Sequence, residues 1–291
     1  MKKWEIGDVT ITSILEWESD LGVPGLIPLA TPEAVKAIDW LRPDFATDKG
    51  DLKMSLQAFV VETPRLRVMV DTCIGNDKDL PVTPMWHQMQ TSFLSDLTAA
   101  GFPPDSINAV LCTHLHADHV GWNTRLVDGK WIPTFPNARY LFGRTEHAHL
   151  LELVSRGSGS VMDKINANVL NDSVRPIVAA GLAELVDTDH RLCPEISFVP
   201  TPGHTPGHVS VLITSKGQEA LITGDFVHHP CQVAHPHWNS VADEDKEQSI
   251  ATRKRVFSQM AGTPSIIIGS HWTGATGGTL ARNGEGFRLI Y

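Results

Sequence analysis

Nine consecutive residues carry the strongest chemical signal in this chain. Residues 113–121 read Thr-His-Leu-His-Ala-Asp-His-Val-Gly, with four metal-binding side chains, His114, His116, Asp118 and His119, inside six positions. Zinc is held by four ligands in a tetrahedron, or by three ligands and a water molecule. Because one short segment cannot wrap all four side chains around a single ion, the spacing predicts two neighbouring metal ions.

The residues before this segment predict how it is positioned. The apolar run Ile107–Thr113 is typical of a buried strand that ends where the histidines begin. The alternative is an exposed histidine-rich loop that binds metal adventitiously. A polar loop of that kind is not expected so directly after a buried strand, so the metal site is favoured.

Three single residues further along the chain complete the candidate ligand set. His204 follows Pro202-Gly203, Asp225 follows Gly224, and His271 follows Gly269-Ser270. Each comes just after a predicted strand, and glycine and proline there favour sharp turns that leave a side chain projecting. Strand ends at one edge of a sheet can bring such distant residues together.

The remaining elements predict an α+β protein. Strand pairs alternate with strand–helix units, and no linker or low-complexity tract divides the chain, so we expect a single domain over residues 1–291. The predicted strands are residues 4–17 (two strands), 57–62, 66–71, 107–113, 138–142, 182–186, 196–200, 209–214, 220–223 and 265–268, the last of the chain. The predicted helices are residues 32–40, 91–100, 143–153, most of 161–180, and 243–261.

The motif His114-Leu-His116-Ala-Asp118-His119, followed in order by His204, Asp225 and His271, resembles the metallo-β-lactamase superfamily of dinuclear hydrolases. The resemblance covers nearly the whole chain, from Val-Asp-Thr-Cys-Ile-Gly at 70–75 to His271. It implies an αββα sandwich, in which two packed mixed sheets carry helices on their outer faces. It also implies two Zn²⁺ ions, although Fe, Mn or Co would suit the same ligands.

The same resemblance assigns the ligands. His114, His116 and His204 would hold the first metal, Asp118, His119 and His271 the second, and Asp225 would bridge them. Asp71 is expected either to orient a ligand histidine or to cap a turn, with neither reading preferred. His208, four residues after His204, is expected to be a structural hydrogen-bonding histidine.

Composition narrows the range of partners. The formal charge of −9 and the lack of a basic stripe argue against nucleic acid, and Arg253-Lys254-Arg255 is interpreted as a solvated helix face. Four cysteines without CxxC spacing are expected to be reduced and mostly buried. The N-terminus lacks the apolar core of a signal peptide, and no run is long enough to span a membrane, so we expect a cytoplasmic protein without membrane partners.

Among branches of the family, the best match is the one that contains homoserine lactonases, other small lactonases and organophosphate hydrolases. The lactonases often place a tyrosine three residues after the bridging aspartate, where this chain has His228. His228 is therefore a candidate to polarise the substrate carbonyl or donate a proton; the alternative is a turn histidine. Asp118 is the other candidate for proton transfer.

The predicted function is hydrolysis of a lactone or small ester by a hydroxide that bridges two zinc ions. Alternatives are phosphotriester hydrolysis, β-lactamase-like activity, a mononuclear-iron persulfide dioxygenase and a non-catalytic scaffold. Each loop tryptophan taken singly is expected to be core, but together they suggest an apolar pocket mouth. The residues in question are Met85, Trp86, Trp122, Trp238 and Trp272. The loop Asn76–Gln88 would act as a lid or as a contact in a homodimer.

Overall fold

The computed structural model describes residues 1–23, 25–81 and 83–291. Strands β1 to β16 within these residues are Lys3–Ile6, Val9–Ser19, Met54–Glu62, Arg67–Val70, Ala109–Leu111, Thr124–Val127, Lys130–Pro133, Arg139–Gly143, Ala183–Val186, Arg191–Cys193, Ile196–Pro200, Val209–Ser215, Gln218–Ile222, Ile266–Ile268, Gly277–Asn283 and Gly286–Ile290. Helices α1 to α8 are Pro32–Lys36, Phe93–Ala99, Ala117–Val120, Arg144–Arg156, Val161–Asn168, Arg175–Ala179, Cys231–Ala234 and Lys246–Met260. A π-helical stretch, Val169–Val174, joins α5 to α6.

The described residues form two compact units. The first consists of residues 1–16 and 56–187, and the second of residues 17–55 and 188–291. No helix in the described ranges is both long and apolar enough to cross a lipid bilayer.

The first seven-stranded sheet has the order β1-β2-β3-β4-β5-β8-β9. Its strands β4, β5 and β8 are parallel, with Val70 opposite Leu111 and Leu111 opposite Leu141. Apart from an arginine at the start of β4 and of β8, these short runs are mostly apolar, as is usual in a parallel sheet covered on both faces. Their carboxyl ends lie at one edge, so the residues that follow β4 and β5 start from neighbouring positions.

The second sheet has the order β10-β11-β12-β13-β14-β15-β16. Strand β13 runs parallel to β14, with Ile222 opposite Ile268, and β12 places Val211 opposite Ile222. Strand β11 is antiparallel to β12, with Pro200 opposite Val209. As a result, the ends of β11, β13 and β14 all reach the same edge of this sheet, and three loops leave from it.

The core of the second unit packs around large aromatic side chains. Trp272, Phe45 and Phe257 are fully buried, and Phe45 meets Trp272 edge-on with ring centroids 6.5 Å apart. Helix α8 contributes Val256, Phe257 and Met260, which lie on one face of the helix, to this core. This packing fixes the helix against the sheet that bears the three loops.

The α+β class is confirmed, and both sheets are mixed, but several predicted boundaries were wrong. The chain does not end its sheets at residue 268, because β15 and β16 form a further hairpin around Gly284. A second hairpin, β6–β7, turns at Asp128-Gly129, where both residues have positive φ. Strand β10 was also missed. Asp-Gly and Asn-Gly are strong hairpin signals, so two of these three elements could have been found.

Candidate metal centre

The first unit gathers its candidate ligands at the ends of β4 and β5. Asp71 directly follows β4, and Thr113 and His114 follow β5. His116 then caps the short helix α3, which carries Asp118 and His119. This set, which we call the first cluster, is therefore held by two adjacent parallel strands and one helical turn.

The imidazoles of the first cluster lie close together. The ring centroids of His114 and His116 are 4.6 Å apart, and those of His114 and His119 are 4.1 Å apart. His119 Nε2 is 3.6 Å from Asp118 Oδ2. The side chain of Asp118 is 16% exposed while that of His119 is 1% exposed, so Asp118 is the solvent-accessible member of the pair.

Asp71 fixes the protonation pattern of two of these histidines. Its Oδ2 accepts a hydrogen bond from His119 Nδ1 at 2.8 Å and another from Thr113 Oγ1 at 2.9 Å. The Thr113 hydroxyl proton is used in that bond, so His114 Nδ1, 3.1 Å from Thr113 Oγ1, must donate to the oxygen. Both histidines thus carry their proton on Nδ1 and a lone pair on Nε2. Of the two readings of Asp71, the hydrogen bond to a candidate ligand histidine is the one that the structure shows, and metal binding by that histidine stays a prediction.

Backbone contacts lock the Asp71 loop against α3 and the residues after it. Thr72 N donates to His119 O at 2.8 Å, and Gly121 N donates to Cys73 O at 2.8 Å. A Cβ at Gly121 would lie 1.6 Å from Ile74 O, so only glycine permits this approach. Burial raises the pKa of the Cys73 and Cys112 thiols, because it disfavours the thiolate.

Glu16 on β2 holds the loop after Asp71 and the residues after α3. Its half-buried carboxylate accepts from Ile74 N at 2.8 Å, from Gly75 N at 3.2 Å and from Trp122 Nε1 at 2.6 Å. Thr91 Oγ1 donates to it as well, at 3.2 Å. Burial raises the pKa of Glu16 even though these four donors favour its charged form.

The second unit supplies the other candidates from the three loops at its sheet edge. His204 lies between β11 and β12, Asp225 follows β13, and His271 follows β14. All three are buried, as is His228 in the loop after Asp225. These four residues and Asp243 form what we call the second cluster.

Asp225 lies at the centre of the second cluster. Its Oδ1 is 2.9 Å from His271 Nε2, and its Oδ2 is 3.3 Å from His228 Nε2 and 3.7 Å from His204 Nε2. Its backbone N–H donates to His208 Nε2 at 2.8 Å, and His208 Nδ1 lies 2.8 Å from Thr201 Oγ1. The prediction that His208 is a structural histidine is therefore confirmed.

Acceptors also fix the protons on His271 and His204. His271 Nδ1 donates to Ser55 O at 3.0 Å, and His204 Nδ1 lies 3.3 Å from Asp243 Oδ1. The pKa of Asp243 is lowered: burial opposes its ionisation, but the hydrogen bond from His204 and nearby positive charge outweigh that effect. A carboxylate at Asp243 places the His204 proton on Nδ1 and a lone pair on Nε2.

The residues present fit a divalent metal ion. His271 Nε2 carries a lone pair, because Nδ1 donates to Ser55 O, yet this atom lies 2.9 Å from a carboxylate oxygen of Asp225. Two electron-rich atoms at that distance need a cation or a proton between them. Imidazole nitrogen and carboxylate oxygen together are donors that Zn²⁺ and related ions accept.

His228 is buried, and its two ring nitrogens differ. Nε2 faces Asp225, whereas Nδ1 has no hydrogen-bond partner among the described residues. Its ring lies parallel to that of His271, with centroids 6.1 Å apart and an interplanar angle of 9°. Burial lowers the pKa of His228, although the charge of Asp225 opposes the effect. A neutral His228 donates its Nε2 proton to Asp225.

Two residues beside the candidate ligands were not predicted from the sequence. Residue 243 was predicted to start the last helix, but α8 begins at Lys246 and Asp243 is buried beside His204. Arg253 was interpreted as part of a solvated face, but it is fully buried and pairs with Asp243 at 3.3 Å. An arginine at position 253, next to the apolar pair Val256-Phe257 on the helix, was the only available signal.

The expected apolar pocket mouth was wrong for three of the tryptophans. Trp272 is fully buried, Trp238 is 6% exposed and Trp122 is 4% exposed, which makes each of them core, as expected of each singly. Trp122 stacks on Phe93 with ring centroids 5.8 Å apart. Met85, by contrast, is 42% exposed in the loop 76–88, of which residue 82 lies outside the described residues. The four cysteines are unpaired and three are buried, as predicted.

A family model of the metallo-beta-lactamase superfamily matches residues 55–271. This match spans more than half of the chain and both ligand clusters, so the chain belongs to the metallo-β-lactamase superfamily. Among curated proteins, it is similar to the N-acyl homoserine lactonase of Bacillus thuringiensis, with 23% identity over 186 residues that cover 60% of this chain and 64% of the relative. It is also similar to the probable metallo-hydrolase YybB of Bacillus subtilis, with 27% identity over 131 residues, 44% of this chain and 49% of the relative.

Two solved structures share the fold over nearly the whole chain. One is AidC, a dizinc quorum-quenching lactonase in complex with a product, with a TM-score of 0.79 and 22% identity, covering 99% of this chain and 96% of that one. The other is the hydrolase AbOPH in the beta lactamase superfamily, with a TM-score of 0.79, 24% identity and the same two coverages. The predicted metallo-β-lactamase fold is thereby confirmed. The chain spans 64% of the length of the Bacillus thuringiensis lactonase and 42% of the length of the lactonases of Bacillus sp. and Bacillus cereus.

Proposed function

We propose that this chain is a metal-dependent hydrolase that opens a lactone or cleaves a small ester, with residues 1–291 acting as one functional domain. Its metal ions would be two Zn²⁺, and Fe, Mn or Co suits the same donors. We assign His114, His116 and His204 to the first ion, Asp118, His119 and His271 to the second, and Asp225 to both.

The observation that carries this proposal is the uniform protonation of the candidate histidines. His114, His119, His204 and His271 each have an acceptor at Nδ1, which leaves a lone pair on Nε2. Metal-binding histidines are usually held in this way by a carboxylate or a backbone carbonyl. Structural histidines show no such common orientation: the chain's own His208 uses Nε2 to accept from Asp225 N.

Bound metal ions would lower the pKa of a coordinated water and stabilise the negative charge that develops on the substrate. The chain's own residues would move the protons. Asp118 combines a position beside His119 with partial exposure, which suits a carboxylate that takes up a proton and passes it to the leaving alkoxide.

For His228 we propose two contributions. Its Nε2 proton holds Asp225 in place, and its Nδ1 remains available to the substrate or to water. The proposal that His228 polarises the carbonyl requires the Nε2 proton to be shared with the substrate. We expect His228→Gln to lower kcat by roughly 10-fold to 100-fold with little change in KM, because proton transfer and hydrogen bonding act mainly in the transition state.

The choice of a lactone or ester rests on the relatives. Several curated relatives are N-acyl homoserine lactonases, and this chain matches 42% to 64% of their length. His228 stands where such lactonases often carry tyrosine. We therefore propose lactones and esters as a class rather than acyl-homoserine lactones in particular.

The test is a substrate panel on protein of known metal content. Protein purified without added metal is analysed for zinc, iron, manganese and cobalt, and assayed with lactones, aryl esters and phosphotriesters. We expect at least about one metal per chain, hydrolysis of a lactone or ester, and loss of activity in His116→Ala. The exposed His237 provides the matched control, since His237→Ala removes a histidine outside both clusters.

Three outcomes would overturn the proposal. Metal-free protein or a fully active His116→Ala variant contradicts metal-dependent hydrolysis. One iron per chain, with oxygen consumed on a persulfide, supports the dioxygenase instead. Full metal loading without activity on any ester, lactone or phosphotriester supports a non-catalytic scaffold.

A further inference from the structure

We infer that the buried ion pair of Arg253 and Asp243 is a positioning device for His204, which sets the affinity of the centre for its first metal ion. This inference rests on the proposed function, because it requires His204 to bind metal. Neither Arg253 nor Asp243 belongs to the ligand set, and both lie in the second unit.

The contacts form a short chain from helix α8 to the candidate ligand. Arg253 Nη1 is 3.3 Å from Asp243 Oδ2, and Asp243 Oδ1 is 3.3 Å from His204 Nδ1. Both members of the ion pair have fully buried side chains. Ser240 N also donates to Asp243 Oδ2, at 3.0 Å, so the carboxylate cannot rotate without losing a bond.

The guanidinium also reaches the loop that carries Asp225. Arg253 Nη1 donates to Phe226 O at 3.1 Å, and Phe226 is the residue after Asp225. Its Nε donates to Pro236 O at 2.8 Å, and its Nη2 donates to Asn239 Oδ1. One planar cation therefore ties together the backbone beside Asp225 and the carboxylate on His204.

Charge explains why an arginine is needed at this place. A buried carboxylate without a cation is strongly disfavoured. An Asp243 carboxylate that is not held in place would no longer fix the His204 proton on Nδ1, and a proton on Nε2 would block the metal-binding lone pair. Arginine stays charged even when buried, and its fork can serve the carboxylate and two carbonyls at once.

A lysine could supply the charge but not this geometry. Its ammonium is a compact point charge at the end of a flexible stem, so it cannot reproduce the five directed donors of the guanidinium. The pair Asp243→Asn and Arg253→Lys therefore separates charge from geometry. Asp243→Asn keeps the shape at position 243 and removes the negative charge, whereas Arg253→Lys keeps the positive charge and removes the fork.

The primary experiment measures zinc affinity by competition with a chelator, together with the melting temperature of the metal-free protein. We expect Asp243→Asn to weaken binding of the first zinc ion by roughly 10-fold to 100-fold, the usual cost of losing a partner of a metal-binding histidine. Arg253→Lys should weaken it by a smaller factor of roughly 10. The matched control is Lys254→Met, which changes the exposed neighbour on the same helix and should leave zinc affinity unchanged.

A second readout reports on His204 directly. Nitrogen NMR of labelled imidazoles in the metal-free protein should show His204 protonated on Nδ1 in the wild type. In Asp243→Asn we expect a mixture of the two neutral forms. A purely structural ion pair would lower the melting temperature and leave this spectrum unchanged.

The outcomes separate the inference from the proposed function. If Asp243→Asn and Arg253→Lys fold and bind zinc as tightly as the wild type, the inference is wrong and the hydrolase proposal stands. If the wild type binds none of zinc, iron, manganese and cobalt, the proposed function fails first. If Asp243→Asn does not fold, the affinity of Arg253→Lys and its His204 spectrum decide.

Discussion

The first and second clusters both orient candidate metal-binding histidines, but through different hydrogen-bond partners. In the first cluster, Asp71 orients two histidines and takes its other hydrogen bonds from Thr113. In the second, His204 is oriented by a carboxylate that is backed by a buried arginine, and His271 by the backbone carbonyl of Ser55. The first arrangement concentrates control in one residue, while the second distributes it over separate partners.

This difference has an energetic consequence. Loss of Asp71 would leave three donors without an acceptor and would disturb His114 and His119 together. Loss of Asp243 would disturb only His204, but would leave the Arg253 charge buried and uncompensated. Loss of Asp71 should therefore have the larger effect on metal affinity. Loss of Asp243 should mainly destabilise the protein through the uncompensated charge of Arg253.

The largest effect should come from the glycine that locks the first cluster. We expect Gly121→Ala to destabilise the protein by about 3 kcal/mol or more, because its Cβ would meet the Ile74 carbonyl, whose position is fixed by backbone hydrogen bonds. Thermal unfolding measures this cost. Gly129→Ala is the control, since nothing lies within 4 Å of a Cβ there and only the φ of +73° opposes alanine. Equal stability losses in the two variants would contradict the locking role of Gly121.

A direct comparison of the two orienting carboxylates comes next. We expect Asp71→Asn to cost roughly 2–3 kcal/mol, because the amide cannot accept from all three donors. It should also weaken binding of both metal ions, whereas Asp243→Asn should weaken only one. Zinc titration calorimetry resolves the two binding steps. A single weakened step in Asp71→Asn would show that the control is not concentrated as we infer.

Glu16 offers a test of the support beneath the first cluster. Its pKa is raised in the folded protein, so the folded state holds a proton more tightly than the unfolded state does. The wild type should accordingly lose stability, relative to Glu16→Gln, as the pH rises from the ordinary value of 4.5 through the raised pKa. Urea unfolding at several pH values measures the difference, and a pH-independent gap between the two proteins would contradict the assignment.

The smallest effect on metal binding should come from the buried cation of the first unit. Lys78 Nζ bonds to Thr124 Oγ1 at 2.9 Å and to Ser173 Oγ at 3.1 Å, and lies 3.5 Å from the centre of the Trp131 ring. Unlike Arg253, Lys78 makes no hydrogen bond to a loop that carries a candidate ligand among the residues that the structure describes. Lys78→Met should leave zinc affinity unchanged. A tenfold loss of affinity would contradict the proposed difference between Lys78 and Arg253.

Lys78 should nevertheless affect stability in a pH-dependent way. Burial lowers its pKa from 10.5 to about 7, so the folded state binds the proton less tightly than the unfolded state. Its contribution is fully present above pH 10.5 and declines as the pH falls towards about 7. Relative to Lys78→Met, the wild type should lose stability over that window, which chemical unfolding can follow.

The sequence was most informative where one segment contains both the strand and the ligands. The spacing in 113–121 predicted the first cluster because β5 ends directly before it. Among the later ligands, Asp225 and His271 could be placed at strand ends for the same reason. Asp243 and Arg253 could not be recognised, because their roles depend on a contact between a loop residue and a helix residue ten positions further along the chain. Buried arginine and exposed arginine look alike in a single sequence.

The tryptophans were misread for a related physical reason. The position of a residue in a loop near a candidate ligand does not fix the direction of its side chain. A buried indole is much more stable than one exposed at a pocket rim, because burial removes a large apolar area from water. Trp122 illustrates the result, because it turns inwards to stack on Phe93 and to donate to Glu16. The loops that carry these tryptophans were therefore the least predictable part of the candidate site.

The anchors of the two clusters also differ in how far they reach along the chain. Asp71 and His119 are 48 positions apart, and Glu16 and Trp122 are 106 apart, whereas Ser55 and His271 are separated by 216. During synthesis on the ribosome, the first unit can close once residue 187 has emerged. Residues 17–55 must wait for the last strands of their own unit, which makes the second cluster the late step of folding. A nascent chain would thus contain the complete first cluster before the residues of the second cluster have been synthesised.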